Sequence, residues 1–277
     1  MKSFPFVVFM LGIRWAFAQA PSAMVPDANM PRPIAAYNTV FIEEMTWLEV
    51  RDAIKEGKTT VIIATGGIEQ NGPYLATGKH DYILRATTEA IARKLGNALV
   101  APIIPFVPEG NIDPPTIHML YPETISVTEA TFLKLLVDIA SSLKIHGFKN
   151  IILIGDSRGN QTGMKATADS LSKIWDPKIT AINFIPEYYT AIPDSSWFAK
   201  KGIFEKEEGF HDTYDITATI MTVDPKMVRM DERIKAGKFS INGVNLAPAE
   251  KTIAIGKEVV AYRAEKTIEA IKKTLHK

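Results

Sequence analysis

Short runs of β-branched apolar residues alternate along this chain with longer stretches in which apolar positions recur every three or four residues. The two periods predict strands and helices in alternation. Thr59–Thr65, Ala98–Val107, Asn150–Gly155 and Ile179–Ile185 read as strands, the second interrupted by Pro102 and Pro105. Thr46–Glu56 reads as a short helix capped by Thr46 and stopped at Gly57. A second helix starts at Asp81 or a neighbour, runs through Ile83, Ala86, Ala90, Ile91 and Leu95, and ends at Gly96. A third starts at Ser126 or Thr128 and carries Phe132, Leu135, Leu136, Ile139 and Leu143 to His146. A fourth follows Asn160 through Trp175, and a last one, about Pro248–Leu275, offers Ile253, Val260, Ile268 and Ile271 to the sheet. Alternation of this kind predicts a single α/β domain of three layers, α/β/α, around a mostly parallel central sheet.

That domain is expected over residues 35–277. Lys2, the apolar segment Phe4–Ile13 and Ala18-Gln19-Ala20 have the layout of a secretory signal with cleavage after Ala20, so residues 1–20 are expected to direct export to the periplasm or beyond. Residues 21–34, rich in Pro, Ala and Met, read as an extended leader.

The chain has 277 residues, 46% of them hydrophobic, which is enough for a substantial core. A net charge of +1 gives no electrostatic reason to expect nucleic acid or an anionic membrane as a partner. There is no cysteine, so disulfides, thiolate ligands and thiol nucleophiles are excluded, and any metal site must come from His, Asp and Glu.

The candidate chemistry gathers after the strands. The first stops at Gly66-Gly67 and is followed by Glu69, Asn71, His80 and Asp81. Open α/β sheets bind ligands at that edge. The third strand feeds Asp156-Ser157-Arg158-Gly159-Asn160, in which Asp156 or Ser157 either faces the site or caps the next helix. This stretch lacks the Lys-Ser/Thr ending of a P-loop. His118 lies in the Pro- and Gly-containing loop Glu109–Glu123 and reads as a pocket wall. With a helix starting near His211, that residue and Asp215 stand at i and i+4 on one face.

Taken together these residues resemble the creatininase (creatinine amidohydrolase) family. Its first motif, approximately E-x-H-G-x-H-L-P-x-x-T-D, is matched from Glu69 to His80. Its F-P-G-T-I-S is matched by Tyr121–Ser126 and its N-G-H-G-G-N by Gly155–Asn160. Its later histidine-containing region is matched from His211 to Val228, so the resemblance covers about Thr46–Met230.

The resemblance implies a metal-dependent amidohydrolase that cleaves a C–N bond of a small, cyclic or open, amide. The alternative is a non-catalytic small-ligand-binding protein on the same fold. Family members hold two divalent ions through Glu, His, Asp, His and Glu. Here those positions carry Glu69, Asn71, His80, Ser157 and, best matched, Asp215. A neutral imidazole has one free lone pair and does not bridge two cations as a carboxylate does, so a single Zn or Mn is expected, on Glu69, His80 and Asp156. His211 is then expected to donate a proton to the leaving nitrogen and Asp215 to orient it. His118, Tyr121, Asn71 and Ser157 are expected to shape the substrate pocket. The family's habit of oligomerising, often as hexamers, is expected as well, with Trp197, Phe198 and Phe204 either a contact patch or core.

Overall fold

The computed structural model describes residues 26–275, so the expected signal, residues 1–20, and the start of the leader lie outside the described residues. The chain up to Ala35 forms one unit and Ala36–Lys277 another. In the first, residues 26–35 are irregular, with a turn closed by Met30 N–H on the Asp27 carbonyl.

The second unit is built on four parallel strands, β1 (Thr60–Thr65), β2 (Ala98–Val100), β3 (Asn150–Gly155) and β4 (Ala181–Phe184), in the order β2-β1-β3-β4. Helices α1 (Trp47–Lys55), α2 (Lys79–Leu95), α3 (Glu129–Ile145) and α4 (Asn160–Ser172) precede or connect them. After β4 come α5 (Glu187–Thr190), α6 (Ser195–Ala199), α7 (Tyr214–Met221) and α8 (Met230–Lys235). A small hairpin of β5 (Ser240–Ile241) and β6 (Val244–Asn245) and the long α9 (Ala249–Leu275) complete the unit.

All six residues of β1 are buried, as a strand covered on both faces requires. Val61, Ile63, Ile151 and Leu153 pack with Phe132 and Leu136 of α3 and Leu171 of α4. Their neighbours Ile62, Ala64, Ile152 and Ile154 pack with Leu84 and Ile91 of α2 and Ile268 and Ile271 of α9. This period-two division makes the three layers that the hydrophobic pattern predicts. Thr46 caps α1 in a reciprocal pair with Glu49, and Thr128 caps α3 by accepting from Thr131 N–H.

The second strand is shorter than expected. Pro102 and Pro105 cannot donate to a ladder, and beyond Val100 the pairing is reduced to the Ala101 N–H on the Ile62 carbonyl and single bridges at Ile104 and Val107. Helix α7 begins at Tyr214, so His211 precedes it and shares no helix face with Asp215. Phe198 is buried and Trp197 packs on the cluster under α7, which leaves Phe204 as the exposed member of the expected contact patch. No described helix is long and apolar enough to cross a membrane.

The strand order positions the site. From β1 the chain crosses to β2 on one side, then returns through α3 to β3 on the other side of β1. The ends of β1 and β3 therefore flank a topological switch point, where such sheets open a crevice. Asn160, fully buried at the start of α4, holds the crevice in shape. Its side-chain amide donates to the Thr65 and Gly66 carbonyls at 3.1 and 2.8 Å.

Candidate active site

Glu69, in the loop after β1, is the hub of the crevice. Its Oε1 meets His80 Nε2 at 2.9 Å, Lys79 Nζ at 3.1 Å and His211 Nδ1 at 3.3 Å, and its Oε2 meets His118 Nε2 at 3.2 Å. Lys79 and His80 come from the first turn of α2, His118 from a 3-10 turn in the β2–α3 loop, and His211 from the loop before α7. The His118 and His211 rings stack at 4.9 Å, nearly parallel.

Behind the hub runs a relay. His80 Nδ1 donates to Asp156 Oδ2 at 2.7 Å, and Asp156 Oδ1 accepts from Arg263 Nη2 of α9 at 2.6 Å. Burial opposes charge on His80, but its hydrogen bonds to Asp156 and Glu69 prevail and raise its pKa to about 9. Burial would likewise raise Asp156, yet the Arg263 charge and the His80 hydrogen bond hold it at about 2. Glu69, buried too, is held well below the carboxylate range by the His80 hydrogen bond and the charges of His80, Lys79 and His211.

Glu109 is the contrasting carboxyl. Burial, then the charge of Glu69 and a hydrogen bond shared with it, push its pKa up to about 8. Its Oε1 has no partner among the described residues, while Ser157 Oγ donates to Oε2 at 3.5 Å. The left-handed side of Gly67 makes room for it, because a Cβ there would strike Glu109 Oε1. Glu69, Glu109, His118, Ser157, Tyr189 and His211 are among the residues lining a pocket of about 410 Å³, with Arg158 at its rim.

The expected site residues are thus only partly brought together. Glu69, His80, Asp156, His118, His211 and Ser157 meet at the pocket. Asn71 turns its amide into its own loop, donating to the carbonyls of Glu69 at 2.8 Å and Ala76 at 3.3 Å. Tyr121 ends the 3-10 turn, half exposed and away from the pocket lining. Asp215 is half-buried in the first turn of α7, accepting from Thr213 Oγ1, also outside the lining. Asp156 caps nothing, since Gly159 precedes α4 without a side-chain cap. Lys79, Glu109 and Arg263 are the members that sequence reasoning passes over. Two local signals mark them. Lys79 and His80 put cations at a helix N-terminus, against the dipole, and Arg263 falls on the buried stripe of α9 with Val259 and Thr267.

The family model for creatininase, described as creatinine amidohydrolase, matches residues 43–271. The chain belongs to the creatininase family. A solved creatinine amidohydrolase (creatininase) superposes with a TM-score of 0.60 at 18% identity, covering 86% of this chain and 97% of its own. A tryptophan-to-alanine mutant creatininase gives 0.63 at 17%, over 86% and 99%. A putative creatinine amidohydrolase from Bacteroides fragilis gives 0.53 at 20%, over 87% and 95%. These likenesses show the fold. A 3-dehydro-scyllo-inosose hydrolase from Thermotoga maritima is 26% identical over 165 residues, 60% of this chain. The chain spans about half the length of that curated relative, 49%. Solved creatininases include a manganese form and a zinc-zinc form.

The described residues include a donor set that could hold a divalent ion. Glu69, His118 and His211 offer ligand atoms that all lie within 4.8 Å of one another. His118 Nε2 lies 3.2 Å from Glu69 Oε2 and His211 Nδ1 lies 3.3 Å from Glu69 Oε1, so the two imidazoles approach the carboxylate from its two oxygens. The other family ligand positions are engaged differently. Asn71 faces its loop, both nitrogens of His80 are committed to carboxylates, Ser157 offers a hydroxyl, and Asp215 stands apart.

Proposed function

We propose that this member of the creatininase family is a hydrolase of small carbonyl compounds, amides first among them, that works with one zinc or manganese ion on Glu69, His118 and His211. The observation that supports it is the convergence of two stacked imidazoles on one ionised carboxylate at the mouth of the switch-point pocket. A divalent ion there supplies Lewis-acid polarisation of a carbonyl oxygen and lowers the pKa of a water. Lys79 and His80 keep Glu69 ionised and aimed. In this arrangement His211 serves as a ligand, and the proton for the leaving atom is assigned to Glu109, whose carboxyl lines the pocket and is pushed upward in pKa chiefly by burial. Ser157 orients Glu109 through the hydroxyl it donates. Such a pairing of an ion site with a general acid favours turnover over ligand storage.

A pocket of about 410 Å³ suits a metabolite-sized ring, and the inosose hydrolase relative puts ring ketones beside cyclic amides as substrates to try. The reading includes export, which rests on Lys2, the apolar run Phe4–Ile13 and Ala18-Gln19-Ala20.

The test is to strip the protein of metal, add back zinc or manganese, and assay cyclic amides and inososes. Turnover is expected only with the ion. His118→Ala and His211→Ala are expected to abolish stoichiometric ion binding in calorimetry, with the urea-unfolding free energy changed by no more than about 1 kcal/mol because both rings are partly exposed. Full turnover by the metal-free protein, or undiminished ion binding in both variants, overturns the reading.

A further inference from the structure

Lys79 breaks the local rules that govern lysine. It occupies the first position of α2, where the helix dipole disfavours a cation. Only 1% of its surface is exposed, a depth at which lysine is almost never found without a partner. Its compensation lies entirely within the site. The ammonium stands 3.1 Å from Glu69 Oε1 and donates at 3.1 Å to the His211 carbonyl. A carboxylate oxygen and a backbone carbonyl oxygen are what a hard cation takes as ligands.

The charges around it point the same way. Glu69 and Asp156 are faced by Lys79, His80 and Arg263, three cationic side chains in direct contact with two carboxylates. Glu69 and Asp156 thus each already have cationic side chains in contact. A second divalent ion on Glu69 would lie against the Lys79 ammonium in a region screened poorly by water. The mouth differs, because His118 and His211 are partly exposed there and face Glu69 from the solvent side.

We infer that Lys79 is a built-in substitute for a second metal ion: its ammonium occupies Glu69 Oε1 and restricts the centre to the single ion at Glu69, His118 and His211. The inference rests on the one-ion reading above and adds to it the residue that sets the count. A lysine at this position also explains how the chain dispenses with ligands at Asn71 and Ser157, since no second ion remains for them to hold.

The experiment compares the wild type with Lys79→Gln and Lys79→Met, using zinc chloride and manganese chloride as probes. Metal content is read by elemental analysis after dialysis, affinity by calorimetry, and folding by urea denaturation. The wild type is expected to take one equivalent. The neutral variants, relieved of a like charge beside the ion's own ligand, are expected to bind zinc about tenfold more tightly or better. Two equivalents in the wild type, or folded variants whose affinity stays within about twofold of it, overturn the inference. A wild type that binds no ion sinks the one-ion reading alone, and the inference is then decided by whether the neutral variants gain an ion. Two equivalents in the wild type overturn the inference whether or not the variants fold.

Discussion

His80 meets in the structure the two carboxylates that the sequence groups with it, Glu69 and Asp156, but through hydrogen bonds from both ring nitrogens. Its place after β1 marks it as a site residue, and the family's carboxylate at that position suggests a ligand. In the structure both ring nitrogens are spent, one on Glu69 and one on Asp156, so it acts as a charged brace between two buried carboxylates. Removing it leaves both uncompensated. His80→Ala is therefore expected to lose about 3–5 kcal/mol of unfolding free energy, the usual result of breaking a buried pair from one side, and a loss below about 1 kcal/mol in urea denaturation would refute the brace. Glu69, Asp156, His118 and His211 were legible because each punctuates the chain where a strand or loop opens onto the sheet edge. Lys79, Glu109 and Arg263 were not, because residues of these types are solvated in most positions. Their burial is a property of the packed fold: Arg263 belongs to the site only because α9 lies across the ends of β3 and α5 to reach Asp156 and the Tyr188 carbonyl.

Elements carry these side chains to one place, and the joint between β1 and α4 is the one that fixes the crevice. The Asn160 amide donates to two carbonyls at the end of β1, neither of which has water to turn to. Asn160→Ala strands the Gly66 carbonyl, while the Thr65 carbonyl keeps the Asp156 N–H, at a cost of about 1–3 kcal/mol for the buried group left unpaired. The expected outcome is a loss of about 1–3 kcal/mol in urea denaturation, together with weaker zinc binding as Glu69 drifts from His118 and His211. Stability within about 0.5 kcal/mol of wild type would show the joint to be dispensable. Helices were the better-read elements. Thr46 and Thr128 cap α1 and α3 as their sequence positions predict, because capping is local chemistry. The start of α7 is less local. Thr213 precedes it without a side-chain cap, while Asp212 accepts from Thr217 Oγ1 within the fold, and the turn that separates His211 from Asp215 leaves no mark in the apolar spacing.

For the whole molecule, the layers follow from the alternation of apolar periods, whereas the order β2-β1-β3-β4 depends on which crossover turns which way and has no local signature. The net charge of +1 is equally silent about the interior, where charges are sorted into groups that hold protons and groups that shed them. That sorting sets the pH dependence of stability in the metal-free protein. His80 is raised from 6.5 to about 9, so its contribution is complete below pH 6.5 and lost as pH rises through 9. Glu109 is raised from 4.5 to about 8 and Asp212 from 3.8 to about 7, both chiefly by burial. Between those limits the unfolded chain releases protons that the folded one keeps, so these groups also lower stability as pH rises. Asp156, held at about 2, opposes them only below its ordinary value of 3.8. His211, lowered from 6.5 chiefly by burial, opposes them only below pH 6.5, so between pH 6.5 and 9 the shifts of His80, Glu109 and Asp212 act with one sign. Urea denaturation in the presence of a chelator is expected to show stability falling continuously from pH 6.5 to pH 9, by about 3 kcal/mol from His80 alone, with an unchanged dependence on urea concentration. In the His80→Ala variant the part of the fall between pH 6.5 and 9 should shrink, while the part due to Glu109 persists. A wild type that gains stability across that range would mean that His80 is neutral in the fold, and the charged brace between Glu69 and Asp156 would go with it.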